Sequence, residues 1–138
     1  MPADFRLNPP RPALPVWWIL WGAILAGLVT IYLVAGRKPQ PPAAAADLLV
    51  NLSGIVPLFI SIVIRWLVIP RYQEPLRAFP LYVTGLALAE ACGILGILLG
   101  GPYREDLFVL GVLGITQFVP LFVRRMAEPK GSGFIPNN

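Results

Sequence analysis

Four long apolar stretches alternate along this chain with short segments rich in proline, glycine and charge. They cover about residues 13–36, 47–69, 80–100 and 106–123. The first and fourth carry no internal charge, the second contains Arg65, and the third contains Glu90. Each is ~18–24 residues long, and an α-helix needs about 20 to cross the hydrocarbon of a bilayer. Backbone facing lipid must satisfy its own hydrogen bonds, which selects helices, and the alternation of a membrane β-barrel is absent. The pattern predicts an all-α fold: an integral membrane bundle of four transmembrane helices with short loops. Residues 1–138 form a single domain on this reading.

The breaker residues agree with these limits. Pro39, Pro41 and Pro42 stiffen the first loop. Pro70, Pro75 and Pro80 mark the second, and Gly100-Gly101-Pro102 ends the third stretch with glycine and proline at their usual C-terminal places. The first stretch is too long for the apolar region of a cleaved leader and no lysine precedes it, so it is expected to remain as a span.

Composition points the same way. The chain is 57% hydrophobic and 13% charged, with a mean hydropathy of +0.71. Soluble domains carry roughly 25% charged residues, so lipid must replace water around most of this surface. The net charge of +4 is no nucleic-acid signature, because the basic residues sit at the ends of apolar runs. With four spans both termini share a side. That side collects Arg6, Arg11, Arg65, Arg71, Arg77, Arg124, Arg125 and Lys130, against Arg37, Lys38 and Arg104 on the other. The positive-inside rule then places both termini in the cytoplasm, with the protein in the cytoplasmic (inner) membrane of a bacterium. Trp17, Trp18, Trp21 and Trp66 fall near the same ends, as in an aromatic belt.

The chemistry centres on Glu90. A carboxylate near mid-bilayer costs ~2.5–3.5 kcal/mol on insertion scales, so such groups are paired, protonated or used to carry a cation. At about 1.5 Å per residue, Glu90 lies ~15 Å below the cytoplasmic end of its span, Ser61 ~12 Å and Gln117 ~10 Å. The three can share one polar layer, as an ion-binding site or a buried polar cluster. Pro57 and Pro120 free the carbonyls of Ser53 and Thr116, which can accept from a protonated carboxyl or coordinate a cation. Arg65, ~6 Å deep, is the candidate counter-ion for Glu90, with snorkelling to the headgroups as the alternative. Gly85, Ala89 and Gly93, and then Gly96 and Gly100, form small-residue stripes for close helix packing.

One cysteine and no histidine exclude a disulfide framework and a Cys/His metal site within one chain. No metal or other cofactor is expected, and Cys92 reads as a small packing residue. An intramembrane enzyme would need a nucleophile–base pair, yet Ser53, Ser61 and Cys92 have no base except Glu90. Asp47 and Asp106 belong to the opposite membrane face. No enzymatic activity is expected.

The run Gly85-Leu-Ala-Leu-Ala-Glu90-Ala-Cys-Gly-Ile-Leu-Gly-Ile-Leu-Leu resembles the second helix of the proteolipid c subunits of rotary ATP synthases. The resemblance covers residues 85–100, and it implies that Glu90 is an ion-carrying carboxyl. In layout the chain is also similar to small multidrug exporters, which have four short helices and one membrane-embedded glutamate.

Two functions follow as expectations. The first is a structural or accessory component that packs in the lipid bilayer as a homo-oligomer or with a larger membrane complex. The second is a proton- or cation-coupled transporter, or an ion-translocating subunit, that uses Glu90. They differ in whether Glu90 faces a polar crevice or closed packing.

Overall fold

The computed structural model describes residues 13–36, 48–99 and 101–123, and all regular structure among them is helical. Helix α1 (Leu14–Ile31) runs on into a π-helical turn, Tyr32–Gly36. A single short turn, α2 (Leu48–Asn51), precedes α3 (Ile55–Val63). A π-helical turn (Ile64–Val68) and a 3-10 turn (Ile69–Arg71) extend α3. Helix α4 (Pro75–Leu99) and a 3-10 turn (Gly101–Tyr103) lead to α5 (Arg104–Thr116). Residues 1–12, 37–47, Gly100 and 124–138, and with them Arg124, Arg125 and Lys130, lie outside the described residues.

Three segments are long and apolar enough to cross a membrane: Leu14–Gly36, Pro75–Leu99 and Gly101–Val123. The expected second span is a correction. Residues 48–71 are not one continuous helix, because the chain breaks at 52–54 between α2 and α3. Pro57 has no N–H for the carbonyl of Ser53. The ladder tightens there instead, with Ile55 N–H on Leu52 O at 3.0 Å and Val56 N–H on Ser53 O at 3.3 Å. The break also serves packing, since a Cβ on Gly54 would stand 2.9 Å from the carbonyl oxygen of Cys92. Helix α4 starts earlier than expected, at Pro75, where the missing N–H is one that no helix uses.

Side-chain contacts fix the directions. Trp17 meets Tyr82 with ring centroids 4.7 Å apart, and further along α1 Leu28 packs onto Gly93, so α1 and α4 run parallel. Helix α5 runs antiparallel to α4: Leu107 meets Gly96, Gly111 meets Gly93, Gly114 meets Ala89, and beyond the helix Phe118 meets Gly85. The segment 48–71 is also antiparallel to α4, with Asn51 at Gly101, Gly54 at Cys92 and Ser61 at Gly85. Because α1 and α4 point the same way, the chain between them must return along the bundle. The broken segment makes that return.

Gly85, Ala89, Gly93 and Gly96 are all buried inside this one chain. A Cβ on Gly111 would lie 2.8 Å from the N and Cα of Gly93, so α4 and α5 touch backbone to backbone. Gly101 has φ +48°, the left-handed conformation that lets the chain turn from α4 into α5. Glu105 and Asp106 in the first turn of α5 favour its positive N-terminal end. Trp17 is fully buried against Phe79, Tyr82 and Phe122 rather than lying in an aromatic belt, while Trp18 and Trp66 are exposed.

Candidate functional site

Polar side chains within the bundle mostly donate to main-chain carbonyls of a neighbouring helix. Ser61 Oγ, fully buried, donates to Gly85 O at 2.8 Å and ties α3 to α4. Tyr82 Oη donates to Trp17 O at 3.1 Å and ties α4 to α1. Cys92 Sγ lies 3.6 Å from Leu107 O, in the role of a small packing residue with a weak donor.

The richest cluster surrounds the end of α5. Pro120 breaks the regular ladder: Val119 N–H turns to Thr116 O at 3.1 Å, and Leu121 N–H to Val119 O at 2.8 Å. The Thr116 carbonyl is therefore not released for a ligand, and neither is that of Ser53, which Val56 takes. The carbonyl of Gln117 loses its α-helical donor, Leu121, and accepts from Arg65 Nε at 2.8 Å. The carbonyl of Ile115 accepts from Trp21 Nε1 at 3.0 Å as well as from Phe118 N–H at 3.0 Å. Trp66 Nε1 donates to Gln117 Oε1 at 3.1 Å. Consecutive residues of an α-helix point about 100° apart. The π-helical turn Ile64–Val68 widens the helix, and both Arg65 and Trp66 reach the same residue of α5.

The Arg65 guanidinium carbon lies 4.3 Å from the Phe122 ring centroid and 5.3 Å from that of Trp66. Arg65 thus binds the α5 backbone and two aromatic rings. The structure brings Arg65 and Gln117 together, but joins neither of them, nor Ser61, to Glu90.

Glu90 stands apart on α4. It is partly exposed, and no hydrogen bond or ion pair is formed by it among the described residues. Its Oε1 lies 3.6 Å from where a Cβ on Gly27 of α1 would be. One turn earlier on α1, a Cβ on Gly22 would meet nothing within 4 Å, and Ala23 and Ala26 are exposed. Ala87 on α4 is exposed as well. A carboxyl group therefore sits at the rim of a shallow face of small residues on α1 and α4.

No family model, curated protein or solved structure matches this chain. The geometry has to carry the functional argument alone.

Four participants escaped the sequence reading: Gly27, Trp21, Trp66 and Phe122. The one signal for Trp21 was Pro120, and Trp66 and Phe122 had none. A proline inside a span releases carbonyls that need donors, and an indole N–H or an arginine at matching depth supplies them. Gly27 had no signal, because its role depends on how α1 is rotated against α4.

Proposed function

We propose that this chain is a small structural or accessory membrane protein, without enzymatic activity, that associates laterally through the α1–α4 face bearing Glu90. Its partners are a second copy or a larger membrane complex. The observation that carries this reading is the Glu90 carboxyl beside Gly27, without a partner among the described residues and on a face of small residues that none of them fills. A carboxyl facing hydrocarbon is costly, and a partner helix that lies on the small residues both removes it from lipid and supplies hydrogen-bonding groups. Trp21, Ser61, Arg65 and Tyr82, by contrast, bond to main-chain carbonyls of neighbouring segments and tie the bundle together. The ion-translocating alternative has less support, since Ser61 Oγ and Gln117 Oε1 are bonded elsewhere and, among the described residues, no side chain bonds to Glu90.

For membrane topology, the return segment 48–71 crosses alongside α4 as a broken span. Both termini then lie on the cytoplasmic side of a bacterial inner membrane, where the excess of arginine falls.

Thiol cross-linking in native membranes tests the reading. Ala26→Cys, in a Cys92→Ala background, is expected to cross-link to a second copy or to one discrete partner. Glu90→Leu is expected to reduce the cross-linked fraction, and a cysteine at exposed Ile60 on α3 to give none. Equal cross-linking at both positions, or none at Ala26, rules the reading out. Proton or sodium flux in vesicles that is abolished by Glu90→Gln would favour the alternative.

A further inference from the structure

A second feature lies between α3 and α5. Leu58, Ile62, Leu110, Leu113, Gly114 and Gln117 line an open groove of about 150 Å³. Its walls are aliphatic, and Ile62, Leu110 and Leu113 are exposed towards the outside of the bundle. Gly114 deepens it, since this position has no side chain and Leu58 leans over it. An aliphatic groove favours apolar groups over water. In a bilayer the apolar groups at hand are acyl chains.

Gln117 is the one polar residue that lines the groove, and Arg65, which does not line it, is bonded to the main chain of Gln117. Trp66 donates to Gln117 Oε1, and an indole N–H only donates, so the orientation of the Gln117 amide is fixed. Gln117 Nε2 is then a donor, and it is buried without a hydrogen-bond partner. A buried unpaired donor costs about 1–3 kcal/mol, which marks a place where an acceptor belongs. The main-chain carbonyl of the same residue holds the Arg65 guanidinium through Nε. Among the described residues Arg65 has no carboxylate partner, and its other nitrogens donate to nothing.

We infer that the α3–α5 groove binds one anionic phospholipid, its acyl chain along the aliphatic walls and its headgroup end at Gln117 and Arg65. Gln117 Nε2 donates to an ester carbonyl oxygen of the lipid. The uncompensated positive charge of Arg65 selects an anionic over a zwitterionic headgroup. Arginine suits this task because its planar guanidinium stays charged and keeps free donors after Nε is used. The site is independent of Glu90, which lies on the α1–α4 face and does not line the groove.

Native mass spectrometry of the full-length protein in mild detergent tests the inference, with phosphatidylglycerol and phosphatidylcholine added separately. The first phosphatidylglycerol is expected to bind about fivefold more tightly, the preference that one basic residue near an anionic group supports. Arg65→Gln is expected to erase that preference. Gln117→Leu and Leu113→Trp, which remove the donor and fill the groove, are expected to weaken binding of both lipids. Equal binding of the two lipids by the wild type overturns the inference, and so does a preference that survives Arg65→Gln. If Arg65→Gln fails to fold, unchanged binding in both Gln117→Leu and Leu113→Trp overturns it instead. Inorganic phosphate that displaces phosphatidylglycerol at stoichiometric concentration would identify a free-anion site and also overturn the lipid assignment.

Discussion

Arg65 donates from Nε to the main-chain carbonyl of Gln117 over 2.8 Å, and so caps a carbonyl left without its helical donor near Pro120. Sequence separates the two residues widely, and the π-helical turn on one side and the proline break on the other bring them together. Each irregularity would be a defect alone. Together they form a lock between α3 and the end of α5.

Arg65→Lys tests this lock. Lysine keeps the charge but lacks the planar fork that stacks on Phe122 while donating from Nε. The Gln117 carbonyl is then left without its donor, and the expected loss is about 1–3 kcal/mol of stability. Thermal or detergent-induced unfolding of the purified protein measures it. A lysine variant as stable as wild type would mean that the bond contributes nothing.

Pro120→Ala acts on the other half. Alanine restores an N–H for Thr116 O and lets Leu121 N–H return to Gln117 O, so Arg65 has to share its acceptor. Hydrogen exchange at Leu121 is expected to slow, and the emission of Trp66 to shift as its bond to Gln117 is disturbed. Unchanged exchange at Leu121 would count against the capping account.

The glycines divide into two classes with opposite expectations. Gly111→Ala puts a methyl group 2.8 Å from the Gly93 backbone and must push α4 and α5 apart, at a cost of about 1–3 kcal/mol. Gly22→Ala meets open space and is expected to stabilise the isolated chain by about 0.5–1 kcal/mol through helix propensity. Unfolding midpoints of the two variants in the same detergent decide the matter. A destabilised Gly22→Ala would mean that α1 packs differently.

Glu90→Gln and Glu90→Leu separate fold from association. Glu90 has no partner among the described residues, so neither change is expected to lower the stability of the detergent-solubilised monomer by more than about 0.5 kcal/mol. Glu90→Leu is expected to be neutral or stabilising. A large loss of monomer stability would show that the carboxyl does hold the bundle together.

Periodicity and composition alone were enough for the class of this protein. Long apolar runs have one solution in lipid, helices, and the chain adopts them at Leu14–Gly36, Pro75–Leu99 and Gly101–Val123. They also located the small-residue face of α4, because Gly85, Ala89, Gly93 and Gly96 recur on a helical period. Tertiary structure decided the rest. It turned that face inwards, onto Phe118, Gly114, Gly111 and Leu107 of the same chain, left Gly22 of α1 open and set Gly27 against Glu90. It divided the second apolar run at Gly54, where the backbone of α4 comes too close for a side chain. It also sent Ser61 to Gly85 and Gln117 to Trp66, and left Glu90 at the rim. The physical reason is that depth along a helix can be read from residue count, whereas the azimuth of each helix cannot. Azimuth is set by which side chains fit between backbones, and that depends on all the helices at once.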